Sequence, residues 1–353
     1  MKIMAKPKQS YMDFFQTNHA SNLDDKTKPI EGTCTSMCPK EEVKLREKEH
    51  MVHILEVVGD KHELVKSYSR PAADTNMAVA RNLRPFTTLK KTVDYLLYEV
   101  TKRTDVSQLV IYNFVTDRLR AVRQDMIIQD FNPKHRIILL EPMIRFHTYY
   151  GYLLCEESIH DYSPTLNRNF LMECLSTCLY CYDELDRKKE GDLSCLINSL
   201  STCTLDKDQS LDRGLVEALY VLTNFYEESP VWRLLKLNES IRHLPVVRLA
   251  YKIAVASLHN NFVAVCRAID SLCPLLFCAV ALFLPRIQRS GLQVVNVAYS
   301  SKARPLPLQA LREWLRLGGA AAAGAALRHY GLRTVNGHVA CQRAAFKHDA
   351  PLV

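Results

Sequence analysis

Four residues near the start of the chain have the types and spacing that hold a metal. Cys34 and Cys38 are separated by three residues, and His50 and His53 stand at i, i+3 on the segment that follows. Zinc takes two thiolates and two imidazoles tetrahedrally. The chain path argues against such a centre, because the histidines lie on the helix that Cys38-Pro39 starts and the chain would have to fold back along itself. The competing reading has both cysteines packed as small apolar groups that position the start of that helix. A second set, His147 with Cys155, Glu156 and Glu157, holds a thiol, a base and two acids, the parts of a nucleophilic site. Helical spacing instead turns Phe146, Tyr150 and Leu154 inward and leaves Arg145 and the acids to structural ion pairs. Gly-x-Ser-x-Gly, a glycine-rich phosphate loop and His-Glu-x-x-His do not occur. The sequence therefore reads as that of a non-enzyme without a cofactor.

The stronger candidates are cations. Lys302, Arg304, Arg312, Arg316, Arg328 and Arg333, followed by Arg343 and Lys347, face only two acids, Glu313 and Asp349. This local excess of +6 is most of the chain's net +8. Such asymmetry points to an anionic partner: nucleic acid, an acidic protein or a membrane surface. The alternative is a solvated basic face that keeps the chain soluble. Arg312 and Arg316 stand at i, i+4, so on one helix both reach the same phosphate region. Contacts of that kind are salt-sensitive and nearly blind to sequence. The alanine- and glycine-rich stretch 318–326 offers few side chains to read base edges. Arg118, Arg120 and Arg123 at i, i+2, i+5 make no continuous stripe, and Asp117 and Asp125 beside them predict internal ion pairs instead.

The elements that must position these groups are helices. Eleven glycines and fifteen prolines among 353 residues are few for an all-β chain. Pro39 to Val58 reads as a first helix, with Leu45, Val52 and Leu55 on one stripe and Gly59 as its stop. Thr87 to Thr101 and Val106 to Phe131 follow, the latter ended by Asn132-Pro133. Ile137 to Cys155 and Thr165 to Leu185 come next, then a charged loop from Asp186 to Asp192. Shorter paired helices fill 195–272; the clearest pair is Val246 to Leu258 and Phe262 to Leu272, with Leu249, Ile253 and Ala256 facing Phe262, Val265 and Ile269. Paired helices of this kind stack as in solenoids. The apolar run Pro274 to Leu284 is shorter than the roughly 20 residues a bilayer requires and reads as a buried helix. Beyond it come helices at Gln288 to Tyr299, Leu308 to Leu317 and Ala320 to His329. Asn336-Gly337 between two short strand-like runs then marks a hairpin, because a type I′ turn needs positive φ at both positions.

Most of the twelve cysteines, among them Cys174, Cys178, Cys181, Cys266, Cys273 and Cys278, sit in apolar helical patterns, where they are expected to be buried and reduced. No signal peptide follows Met1, so an intracellular address is expected.

A series of short motifs runs in order along the chain. Gly32-Thr33-Cys34 and Met37-Cys38-Pro39 open it, and Tyr68-Ser69-Arg70, Leu83-Arg84-Pro85 and Thr92-Val93-Asp94-Tyr95-Leu96 follow. Phe114-Val115-Thr116-Asp117-Arg118, Arg123-Gln124-Asp125, Arg145-Phe146-His147 and Cys155-Glu156-Glu157 complete it. Together they resemble the GANP/SAC-domain family over roughly residues 32 to 345, and the short animal members in particular. The resemblance implies a mainly α fold: a helical-repeat array of the TPR-like PCI type, closed by a winged helix with a small β-hairpin. The implied division is a flexible segment over 1–30, the helical-repeat domain over 31–275, the winged helix over 276–346 and a tail over 347–353. For function it implies a non-enzymatic scaffold in centrosome duplication and spindle progression, located in cytoplasm, centrosome and spindle. The wider family implies the alternative, a subunit of a nuclear mRNA-export complex. Long flanks with pore repeats, as in the larger members, are not expected of this chain, and that expectation favours the first. Implied partners are a PCI-type subunit, a small acidic protein and centrosomal proteins, with non-specific RNA or DNA contact as a further expectation and no membrane. An acidic partner near the winged helix favours protein over nucleic acid for the basic C-terminus, with both readings kept open.

Overall fold

The structure, a computed structural model, describes residues 30–70, 78–191, 211–300 and 305–352. It is mainly helical. In chain order the helices are α1 (Lys40–Lys48), α2 (Phe86–Tyr98), α3 (Gln108–Ile128), α4 (Pro133–Leu153), α5 (Pro164–Gly191), α6 (Arg213–Thr223), α7 (Ser229–Lys236) and α8 (Glu239–Arg242). Then come α9 (Pro245–Leu258), α10 (Phe262–Ile269), α11 (Pro274–Ala281), α12 (Leu284–Ala298), α13 (Leu308–Leu315) and α14 (Ala320–His329). A two-residue hairpin pairs β1 (Val57–Val58) with β2 (Lys61–His62), and a three-stranded antiparallel sheet runs in the order β3 (Leu306–Pro307), β5 (His338–Ala340), β4 (Arg333–Val335). The segment 1–29, including most of the expected flexible N-terminus, lies outside the described residues.

Caps explain where several helices begin. Ser107, Asn132, Asp212 and Asn261 each turn a side-chain oxygen onto an orphan N–H of the first turn of α3, α4, α6 and α10. Pro133 then occupies the first position of α4, where a missing N–H costs nothing. Helix α4 is enclosed by α2, α5 and α11, and Leu139, Leu140, Met143 and Ile144 along it are fully buried. The first apolar core extends from Leu55 to Ile287 and the second from Leu292 to Phe346. The two part within α12. Gly291 sits at that point, where a Cβ would lie 2.3 Å from Leu315 Cδ2 and 3.1 Å from Phe262, so glycine lets α12 approach α10 and α13 closely.

Motif residues in the N-terminal third lock onto α3. Asp125, wholly buried, accepts from Lys66 Nζ (2.7 Å) and from Arg84 Nε (2.7 Å) and N (3.3 Å). Arg84 also donates to the carbonyl of Met37 at 3.1 Å. Gly32 donates its N–H to Gln129 Oε1 at 2.8 Å, and a Cβ there would stand 2.4 Å from the carbonyl oxygen of Leu83. Glu56 binds Arg46 and Arg118 together. Burial would push its carboxyl up, but the Arg46 hydrogen bond, the Val65 N–H and Arg118 hold it below the usual carboxylate range. Arg118 also pairs with Asp117, Arg123 with Glu173 (2.8 Å), and the Arg120 guanidinium lies 3.8 Å over the Tyr68 ring. The expected internal ion pairing is seen for Arg118 and Arg123, while Arg120 lies over the Tyr68 and Phe170 rings instead. A second cluster ties α5, α6 and α7: Glu217 and Asp183 share Arg213 and Arg233.

Several expected boundaries need correction. The first helix ends at Lys48, not Val58. His50 takes a left-handed conformation (φ 53°) and the chain turns back so that Glu56 can reach Arg46. Leu45 consequently faces solvent at 56% exposure, while Leu55 is buried. The expected loop from 186 is instead the end of α5, which continues to Gly191; its Arg-Lys-Lys-Glu run favours helix and contains no proline. Cys273 is exposed rather than buried, because it stands at the N-terminal cap of α11. Among the described residues no single helix is long and apolar enough to cross a membrane. The expected buried helix at 274–284 is observed as α11, with Leu276, Cys278, Ala279 and Val280 inside.

Candidate interaction surfaces

The four zinc candidates do not converge. Cys34 Sγ turns to the Ser36 carbonyl at 3.3 Å, and burial pushes the Cys38 thiol up. His53 is committed elsewhere: its Nδ1 accepts from the Leu55 N–H at 3.2 Å and its ring stacks on Phe114. His50 is exposed at its turn. No group of three or more His, Cys, Asp or Glu that could hold a metal forms among the described residues. The thiol set is dispersed in the same way. His147 is buried with Nδ1 2.8 Å from Asn167 Oδ1, and burial lowers it to about 4, whereas Cys155 is exposed. Arg145 pairs with Glu141 along α4 at 3.3 Å, but the expected ion pairing does not extend to Glu156 and Glu157, which are exposed and make no ion pair among the described residues.

The C-terminal cations fall on a compact unit built from α12, α13, α14 and the three strands. Leu306 pairs with Val339 and Thr334 with Val339, which places β5 in the middle. The turn between β4 and β5 has Asn336 at φ 50° and Gly337 at φ 76°, the geometry that Asn-Gly predicts. Leu311, Leu315, Ala323, Leu327, Tyr330 and Val339 fill the unit's core.

The structure separates the six candidate cations. Lys302 and Arg304 lie outside the described residues. Arg312 is tied to its own helix end, with Nε on the Gly318 carbonyl at 3.0 Å and Nη1 on Gln309 Oε1 at 2.9 Å. Arg316 does not share a helix face with Arg312, which corrects the expected i, i+4 pair. It is the left-handed cap of α13 (φ 52°), and its guanidinium pairs with Asp270 at the end of α10. Both arginines still line one cleft of about 520 Å³ with Arg267, Trp314 and Glu313. Arg328 and Arg333 are exposed and make no ion pair among the described residues. Arg267 was missed because α10 was read only for its apolar face.

The profile of the SAC3/GANP family matches residues 37–336, most of the chain. The chain belongs to the SAC3/GANP family. It is similar to Protein xmas of Drosophila melanogaster, 27% identical over 325 residues, which cover 86% of this chain and 14% of that protein. SAC3 family protein 1 of Schizosaccharomyces pombe is 32% identical over 183 residues, covering 47% of this chain and 17% of the relative. SAC3 family protein B of Arabidopsis thaliana is 35% identical over 133 residues, covering 36% and 8%. The SAC3/GANP chain described here thus spans less than a fifth of the length of each of these relatives. Membership supports a scaffold role, and some of the motifs that carried the resemblance, through Gly32, Arg84 and Asp125, join the N-terminal segments to α3.

Proposed function

We propose that this chain is a non-enzymatic adhesion scaffold acting in centrosome duplication and spindle progression, with the basic C-terminal unit as a docking face for an acidic protein. The order of α12, β3, α13, α14, β4 and β5 suits a winged helix closing a stacked helical array, and the part shared by the two is α12. The observation that carries the reading is the pair Arg328 and Arg333: exposed cations that make no ion pair among the described residues, on a unit with its own apolar core. Arginines such as Arg46, Arg84, Arg118, Arg213 and Arg233 are committed to carboxylates within the fold, whereas these two are available to a partner's acids. Nucleic-acid phosphates could take the same charges, but α14 presents mainly alanine and offers little to a base.

The cellular setting rests on the resemblance to the short animal members of the family, with a nuclear mRNA-export complex as the alternative. Affinity purification from mitotic and interphase cells separates the two. Enrichment of centrosomal proteins in mitotic cells is expected. Recovery of a PCI-type subunit with a small acidic protein, alike in both populations, would replace this setting with export.

A further inference from the structure

A groove of about 1200 Å³ runs along α9, far in sequence from the C-terminal strands. Its basic side chains are Arg242, His243, Arg248, Lys252 and His259, and its lining contains no Asp or Glu. Arg248, Lys252, Val255 and His259 recur at i, i+4, i+7 and i+11, so they share one face of α9. Arg242, Arg248 and Lys252 form no ion pair among the described residues, whereas His243 has Glu239 at 3.7 Å. Between these cations lie apolar walls, Leu234 and Leu235 of α7 with Val247 and Val255 of α9. Leu235 is 48% exposed and Trp232, one turn earlier on α7, is 61% exposed.

This combination restricts the occupant. An acid-free basic lining is complementary to carboxylates or phosphates. A concave channel does not fit a flat bilayer. Walls that are aliphatic, with Tyr251 as their aromatic ring, suit leucine-like side chains better than stacked bases, which bind on aromatic platforms. An amphipathic segment that alternates acids and aliphatics satisfies both parts, in the helix-in-groove manner.

We propose that this groove docks an acidic amphipathic segment of a partner protein, its carboxylates meeting Arg242, Arg248 and Lys252 and its apolar side chains seated against Leu235 and Val255. The site is separate from the C-terminal basic face and goes beyond that reading. It makes the chain a two-point adaptor.

The test uses the full chain and a fluorescent peptide of about 15 residues, long enough to form a helix on binding, with Leu and Glu at helical spacing. Anisotropy should show saturable, salt-sensitive binding. Arg248→Glu with Lys252→Glu should weaken it by about tenfold or more, and Leu235→Ser should weaken it too. Arg328→Glu with Arg333→Glu should leave it unchanged, which keeps this result distinct from the fate of the C-terminal face. The altered side chains are exposed, and circular dichroism checks the fold; Arg248→Ala with Lys252→Ala must shift affinity in the same direction. The proposal is overturned by the absence of saturable binding, by equal binding of a Ser/Glu peptide of the same charge, or by preferential binding of single-stranded RNA that the α9 variants abolish.

Discussion

Asp125→Ala is expected to lower the unfolding free energy by about 3–5 kcal/mol, because removing one member of a buried charge cluster leaves the others uncompensated. Asp125 has no exposed surface and neutralises Lys66 and Arg84 at once, each at 2.7 Å. Arg84 is itself wholly buried, so its charge has no route to water when the carboxylate is gone. The loss is not confined to one contact. Lys66 and Arg84 belong to segments that pass over α3 without regular structure, and Asp125 is where both are held. Urea unfolding of the variant against the parent measures the effect as a lower midpoint. A change below about 1 kcal/mol, the ordinary value of an exposed ion pair, would show that the cluster does not hold the N-terminal third in place. Asp125→Asn keeps the volume and should recover only part of the loss, since an amide cannot balance two cations.

Gly331→Val is expected to disrupt the C-terminal unit selectively, by about 3 kcal/mol or more. Gly331 has φ +84°, a region that a β-branched residue almost never enters. A Cβ there would lie 2.2 Å from the backbone carbonyl oxygen of Ala345, which cannot rotate away as a side chain could. The same turn brings Leu332 into the core and carries β4 away from α14. Limited proteolysis should therefore cleave the variant between α12 and the C-terminus while the region preceding it stays protected. Equal resistance of variant and parent would mean that this turn is not required. Simultaneous loss of protection along the whole chain would mean that the two apolar cores do not unfold separately.

Much of this architecture could be read from residue patterns, for identifiable reasons. Helices α2, α3 and α4 carry long apolar stripes and end at strong signals, such as Asn132-Pro133 between the last two. The β4–β5 hairpin was legible because Asn336-Gly337 states its own backbone geometry. The first helix was overextended because Lys-Glu-rich sequence continues through Glu49, and the pairing that turns the chain back, Glu56 with Arg46 and Arg118, joins residues far apart. Local propensity carries no trace of such a partner. The same limit applied to the C-terminal cations. Their excess charge was visible, but Arg316 is bound to Asp270, 46 residues away, and only coordinates reveal that. Cys34, Cys38, His50 and His53 had suitable spacing along the chain and unsuitable positions in space, since His53 was already used to start the turn at Ile54. The α9 groove escaped notice because that helix was read for the side it buries, Ile253 above all, and its basic stripe lies on the other.

The measurement that bears most directly on the adhesion reading is affinity purification with Arg328→Glu and Arg333→Glu introduced together, run across a salt series. Both side chains are exposed, so the melting curve should stay unchanged. The account predicts that acidic partners retained by the parent at low salt are lost from the variant. The same partners on both proteins, with the same salt dependence, would contradict it.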